Sequence, residues 1–391
     1  MDFTSLFTNL PTLETERLQL RPFKLEDAGD VFAWASDPEV WVHTPVETPS
    51  VLEDSYKRIT RHLEQAAQGK TAVFAVVLKE TGRVIGEALV FPLHRAGSVS
   101  IGYDIARAYW NRGYATEATR ALIGYCFDIP GMNRVEAMCS PENLASLKVM
   151  LKAGMAYEGT LRRYALVKGN FVDLSVCSIL RQEWAGESAP PGEPTRRPMG
   201  QPGGEITELF NHMPVLGTGR LRLRRLRVED VSDVFDYASD PQVARYVMFE
   251  PHQSPDDSRA FLERVLSRPT GSGVMIFGME HRETGKLLGH ISIFLDSEAD
   301  ARAEIAYALN RSFWGQGYTT EAASALIDHG FRHLRLHRIQ ATCYPENVPS
   351  ARVLEKSGMT YEGTLRQYML IKGKYRDLKM YSILRREWEV S

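Results

Sequence analysis

Two stretches hold residues that could grip a phosphate. Arg112-Gly113-Tyr114-Ala115-Thr116 and Gln316-Gly317-Tyr318-Thr319-Thr320 each follow an aromatic–tryptophan element (Tyr109-Trp110; Phe313-Trp314), and each runs on into Glu-Ala. The first N–H groups of a helix have no intrahelical partner and sit at the positive end of its dipole, so consecutive donors there can converge on a pyrophosphate. Side-chain bulk is the obstacle, and Gly113 and Gly317 remove it. A pair of glycines alone often does no more than turn a chain. The weight here comes from the recurrence of the whole stretch.

The flanking segments place each stretch at a helix start. A strand-like run precedes each (Ser98 to Ile105; Arg302 to Leu309), and an apolar-periodic run ending near Phe127 or Phe331 follows, which predicts strand, glycine-bearing loop, helix. Further on, Asn143 and Ser146, like Asn347 and Ser350, open the next helix, where Asn is a natural N-cap. Within the first copy, Leu18 to Phe23 alternates as a strand, and Leu25 to Ala35 and Val51 to Gln68 have helical spacing. Ala72 to Lys79 and Val84 to Phe91 form a hairpin around Thr81-Gly82, Arg134 to Cys139 is a strand, and Tyr157 to Val167 and Leu174 to Leu180 close the domain. The predicted class is α/β, with a mixed, mainly antiparallel sheet flanked by helices. Only the crossover through the helix after Gly113 need be parallel.

The second half restates the first. Ala35-Ser36-Asp37-Pro38 returns as Ala238-Ser239-Asp240-Pro241, and 27 of the 46 positions from Cys139 to Trp184 are identical in Cys343 to Trp388. This predicts tandem domains at residues 1–184 and 205–391, each complete in itself. The Pro- and Gly-rich segment 185–204 joins them as a linker. With 43% hydrophobic and 25% charged residues the composition is that of a soluble globular protein. A formal charge of -2 offers no global field for nucleic acid or an anionic membrane, so neither is an expected partner. Met1-Asp2-Phe3 opens without a basic and apolar leader, which points to the cytoplasm. Cys126, Cys139, Cys177 and Cys343 lack metal-ligand spacing and read as buried thiols, and no metal is expected. His43, His94, His252 and His337 have no repeated partner and read as surface or satisfied histidines.

The W-x-x-G-Y-[AT]-T-E-A loop and helix, the Pro-Glu-Asn-x-x-Ser element and the Gly-Met-x-Tyr-Glu-Gly-Thr-Leu-Arg run occur in the same order in both halves. Together they resemble the GNAT acetyltransferase superfamily, in its branch of ribosomal-protein N-terminal acetyltransferases and their relatives. The resemblance implies acetyl-CoA as donor and direct transfer of acetyl to an amine without a covalent enzyme intermediate. It assigns the pyrophosphate to Arg112, Gly113, Tyr114, Ala115 and Thr116, and to Gln316, Gly317, Tyr318, Thr319 and Thr320. Asn111 and Thr319 depart from the family's glycine and alanine, but Asn tolerates left-handed conformations and Thr adds a hydroxyl. The Asn143 and Asn347 side chains would reach the pantetheine arm, and Ser146 and Ser350 would lie near the thioester sulfur. A backbone N–H of the strand before the loop, at Ile105 or Leu309, would polarise the thioester carbonyl from a gap where that strand splays from its neighbour.

Amine acetylation needs a neutral nucleophile. An α-amine of pKa about 8 is roughly a tenth neutral at pH 7, whereas a lysine amine near 10.4 is neutral in under a thousandth of molecules. A carboxylate could take the proton. Glu304 stands where many relatives carry a glutamate and the first half has Ser100, while Glu87 has His290 as its counterpart. Glu158 and Glu362 recur in both halves but could simply pair with Arg162 or Arg366. Trp34, Trp41, Tyr237 and Tyr246 lie where the family places acceptor contacts, and core packing competes for them. The expected function is N-acetylation of a small-molecule amine or a protein N-terminus, by a monomer with an internal pseudo-dimer or by a homodimer. In the alternative, one domain is a non-catalytic acyl-CoA-binding or pseudo-dimer module, the N-terminal one being the candidate because it lacks Glu304.

Overall fold

The computed structural model describes residues 7, 9–93, 95–185 and 204–390. His94 and all but the ends of the expected linker lie outside the described residues. Two compact units group residues 1–161, 166–197 and 366–375 in the first, and 162–165, 198–365 and 376–391 in the second. Each unit therefore includes a short piece of the other repeat, contrary to the expectation that each repeat is complete in itself. Within the first unit the reason is visible at Glu158, which accepts hydrogen bonds from the backbone N and the Nε of Arg366, both at 3.0 Å.

In the first unit the strands are β1 (Leu13–Glu14), β2 (Leu18–Pro22), β3 (Ala72–Leu78), β4 (Arg83–Pro92), β5 (Ser98–Ile105), β6 (Arg134–Cys139), β7 (Ala156–Val167) and β8 (Asn170–Leu180). Their order in the sheet is β1-β2-β3-β4-β5-β6-β8-β7. Of the ladders recorded, all are antiparallel except β5 with β6, as the crossover predicts. β3 reads Ala-Val-Phe-Ala-Val-Val-Leu and is buried along its whole length, because helices cover both faces of the sheet. One face packs on α1 (Ala28–Ala35) and α2 (Leu52–Ala67) through Val73, Ala75, Val77, Trp34 and Trp41. The other packs on α3 (Tyr114–Asp128) and α4 (Leu144–Lys152) through Phe74, Val99, Ile101, Ile105, Leu122 and Met150.

The second unit repeats this plan. Its strands are β9 (Leu216–Gly217), β10 (Leu221–Arg225), β11 (Val274–His281), β12 (Leu287–Ser297), β13 (Arg302–Leu309), β14 (Arg338–Cys343), β15 (Thr360–Ile371) and β16 (Lys374–Leu384), ordered β9-β10-β11-β12-β13-β14-β16-β15. Helices α5 (Val231–Ala238) and α6 (Pro255–Leu266) cover one face, and α7 (Tyr318–His333) and α8 (Val348–Lys356) the other. No helix among the described residues is long and apolar enough to cross a membrane.

Candidate active site

The sheet of each unit opens at one point. β5 and β6 pair only through Ser98–Ser100 and Arg134–Glu136, whereas β5 stays paired with β4 as far as Ile105 opposite Gly86. The second unit parts in the same way, with β13 and β14 paired only through Arg302–Glu304 and Arg338–Gln340. Ala106 N donates to Ile85 O at 2.8 Å, so by antiparallel alternation Asp104 faces β4 with its backbone groups while those of Tyr103 and Ile105 face the gap. The Ile105 carbonyl is taken by Trp110 Nε1 at 2.6 Å, and the Leu309 carbonyl by Trp314 Nε1 at 2.8 Å. The tryptophan of the repeated motif thus closes one backbone group of the gap and leaves the neighbouring N–H to face it.

The loop has the conformation its residues allow. Asn111 and Gly113 have φ of 59° and 84°, matching 73° and 84° at Gly315 and Gly317, so Asn111 takes the left-handed position that glycine holds in the other copy. The first bonds of α3 and α7 run from Glu117 N to Gly113 O and from Glu321 N to Gly317 O, both at 3.0 Å. The N–H groups of residues 114–116 and 318–320 come before those bonds, at the helix start beside the gap.

The Glu of the motif fastens this loop. Glu117 accepts from Thr15 Oγ1 at 2.6 Å, Arg17 N at 2.7 Å and Arg17 Nε at 2.8 Å, while Arg17 Nη1 donates to Arg112 O at 2.9 Å. Glu321, Thr218, Arg220 and Gln316 repeat the arrangement. Sequence reasoning missed this tie, although Thr-x-Arg-Leu recurs at Thr15 and Thr218. Burial raises the Glu117 pKa, but the Thr15 and Arg17 donors outweigh it and hold the carboxyl below its ordinary value.

On the α3/α4 face, Asn143 Oδ1 caps α4 by accepting from Ser146 N at 3.0 Å, and Asn347 Oδ1 accepts from Ser350 N at 3.3 Å. The cap presents the serine to a tyrosine that spacing alone did not single out. Tyr103 OH lies 2.9 Å from Ser146 Oγ, and Tyr307 OH lies 2.8 Å from Ser350 Oγ. Burial pushes both phenols up, so they remain protonated donors at neutral pH.

The opposite face corrects one expectation. Glu87 is buried, with Arg58 Nε at 3.1 Å, Arg58 Nη2 also bonded, and His62 Nε2 at 3.3 Å. Burial works against its charge, but Arg58 and His62 prevail and pull the carboxyl well below the ordinary range, so Glu87 is a poor proton acceptor. Its counterpart His290 hydrogen-bonds Tyr237 OH at 2.9 Å among Phe249 and Phe261, and burial lowers it to about 4. Glu304 stands at the last paired residue before β13 leaves β14, 6% exposed, with Thr342 Oγ1 donating to it at 3.3 Å. Glu158 and Glu362 are structural partners of the fully buried Arg134 and Arg338. Trp34 and Trp41 belong to the core of their face, their rings 5.6 Å apart. The four cysteines are buried and free, and no cluster of metal-ligating side chains occurs among the described residues.

Known proteins are similar to this chain. The acetyltransferase (GNAT) domain model matches residues 17–156 and 220–360, together most of the chain. An uncharacterized N-acetyltransferase, p20, from Bacillus licheniformis is 35% identical over 176 residues, which is 45% of this chain and 99% of that protein. The ribosomal-protein-serine acetyltransferase of Escherichia coli is 30% identical over 131 residues, 33% of this chain and 72% of that protein. A crystal structure of a GNAT-family acetyltransferase from Bacillus anthracis is 31% identical, with a TM-score of 0.40 over 44% of this chain and 99% of that one. With a domain of this kind matched in each half, the chain belongs to the GNAT acetyltransferase family and is an acetyl-CoA-dependent N-acetyltransferase.

Proposed function

We propose that both units bind acetyl-CoA and that each acetylates an amine of low basicity, either a protein α-amine or a small-molecule amine. The observation that carries this reading is the duplicated gap, bordered by a strand that carries both the tyrosine of a Tyr–Ser hydroxyl pair and the Ile105 or Leu309 N–H and that leads through the glycine loop to a helix start. Acetyl-CoA supplies the activated acetyl group. Residues 112–116 and 316–320 hold its pyrophosphate with backbone donors, and Asn143 and Asn347 offer their side-chain amides to the pantetheine arm. The Ile105 or Leu309 N–H stabilises the developing oxyanion, and the Tyr103–Ser146 or Tyr307–Ser350 pair donates a proton to the departing thiolate. An α-amine needs little help to shed its proton, and the Escherichia coli relative is named for acetylating a serine of a ribosomal protein. In the second unit Glu304, about five residues back along the extended strand from Leu309, is the acceptor of that proton through a chain of waters. Two sites on one polypeptide make a second copy of the chain unnecessary.

Calorimetric titration of acetyl-CoA into the intact protein tests the reading, with two sites per chain expected. One site would return the other unit to the role of a non-catalytic module, and none would overturn the proposal. Removing the Tyr103 and Tyr307 hydroxyls together (Tyr→Phe at both) is expected to lower kcat for thiol release by about 10²-fold. Acetyl-CoA affinity should be unchanged, because the hydroxyls act on the leaving sulfur.

A further inference from the structure

The first unit lacks Glu304's counterpart, since Ser100 stands there, and Glu87 is locked to Arg58. Yet that unit holds another carboxyl on the strand that borders the gap. Asp104 lies directly opposite Glu87 in the β4–β5 ladder, one residue before Ile105. Its side chain is on the α1/α2 face, as alternation from Ile101 and Ile105 on the α3/α4 face requires. Among the described residues no hydrogen bond or ion pair engages it, and the residue keeps more solvent exposure than Glu87. At the matching place in the second unit, opposite His290, stands Ala308.

We propose that Asp104 is the proton acceptor of the first unit, taking the proton released as an amine nitrogen bonds to the acetyl carbon beside Ile105. The inference rests on the reading of this unit as an acetyl-CoA site. The geometry divides the reaction between the two faces of the sheet. Tyr103 and Ser146 stand on the α3/α4 face with the loop, where the sulfur leaves, and Asp104 stands on the other face, from which an amine can reach the same carbonyl. As the N–C bond forms and the C–S bond breaks, one proton passes from nitrogen to the Asp104 carboxylate and one from the Tyr103–Ser146 pair to sulfur. Exchange with solvent then restores both groups.

The surroundings equip Asp104 for this role. The charged and titratable groups facing it are Glu87 from β4 and Arg58 and His62 from α2, while Arg107, just beyond the strand, is turned to Asp37 at 3.8 Å. Burial and the negative charge of Glu87 push Asp104 up to about 7, with Arg58 opposing them in part. Two carboxylates across one ladder cannot ionise independently, and the arginine settles which of them keeps its charge. Arg58 and Glu87 are therefore positioning residues for a base whose affinity for protons matches neutral pH.

The test uses the full-length chain carrying Gly317→Val, which obstructs the loop of the second unit. Thiol release from acetyl-CoA is followed with a serine-initiated tripeptide and with a linear polyamine as amine probes. Asp104→Asn is expected to lower kcat/KM about 10²-fold or more and to abolish an acid limb centred near pH 7, leaving only the rise from the amine's own deprotonation. Asp104→Glu should restore part of the rate and the limb, and calorimetric binding of acetyl-CoA should not change. A rate and pH profile unaffected by Asp104→Asn would overturn the proposal, as would thiol release absent from this protein but present in its Gly113→Val counterpart. Loss of acetyl-CoA binding by the Gly317→Val protein itself would instead reject the acetyl-CoA site in the first unit. Independently of any acceptor, the carboxyl carbon resonance of Asp104 should titrate near neutrality, and titration at the ordinary value near 3.8 would overturn the proposal.

Discussion

Gly317→Val is expected to abolish acetyl-CoA binding in the second unit while sparing the first, so that titration falls from two sites per chain to one. Gly113→Val should do the reverse, and the double variant should bind none. Both glycines have φ of 84°, where an L-residue with a branched Cβ is strained by about 1–2 kcal/mol. A Cβ at Gly113 would lie 3.3 Å from Arg17 Nη2, and one at Gly317 would lie 3.4 Å from Arg220 Nη2, the guanidinium groups that fasten the loop. Valine therefore both disturbs the fastening and sets methyl groups in front of the first N–H groups of the helix, where a pyrophosphate must come within hydrogen-bond distance. Loss of two or three backbone donors should weaken binding at least about 100-fold, corresponding to about 2.7 kcal/mol. Melting temperature is the control, because strain alone should lower it only modestly. Two sites of undiminished affinity in the double variant would show that the pyrophosphate does not rest on these loops.

The sequence made this loop legible because everything it needs is local. A strand end, two residues tolerant of positive φ and a helix start fall within about a dozen residues, and duplication displayed the pattern twice. The strand-like runs before the two loops are the strands β5 and β13 with the same bounds, Ser98–Ile105 and Arg302–Leu309. What the sequence concealed were contacts between distant segments. The Glu117–Arg17 tie spans 100 residues and the Tyr103–Ser146 contact spans 43. The state of Glu87 was hidden for the same reason, because it depends on Arg58, a residue of α2 whose approach to β4 no spacing rule predicts. Neither the β4–β5 register that sets Asp104 opposite Glu87 nor the partner that decides which carboxyl stays ionised follows from local spacing. Glu158 shows a further limit. Its nearest basic neighbour in sequence is Arg162, yet within the first unit it binds Arg134 and Arg366, brought there by strand pairing and by the segment that unit takes from the other repeat.

Glu362→Gln is expected to be the most destabilising single substitution at these buried pairs, costing about 3–5 kcal/mol, whereas Glu158→Gln should cost less. Arg338 is fully buried and its only carboxylate among the described residues is Glu362, whose oxygens lie 2.8 and 2.6 Å from its two terminal nitrogens. Gln340 supplies merely a neutral oxygen, 3.3 Å from Nε. Glutamine at 362 would keep the shape and some hydrogen bonds but leave the fully buried guanidinium charge without a counterion. In the first unit Glu136 occupies the place of Gln340 and lies 3.0 Å from Arg134, so the charge keeps a partner when Glu158 is neutralised. For a unit of this size the larger loss corresponds to a fall in Tm of roughly 10 °C. The pH dependence follows from the direction of the shift. Burial raises the Glu362 pKa, but bonding to Arg338 and Ser382 outweighs it and brings the carboxyl below its ordinary 4.5. Its contribution to stability is therefore complete above about pH 4.5 and is lost as the pH falls through the lower, folded-state value. Glu362→Gln should remove that part of the acid sensitivity, so that wild-type and variant melting temperatures converge as the solution is acidified from pH 7. Equal melting temperatures at pH 7 would show that Arg338 finds its compensation elsewhere.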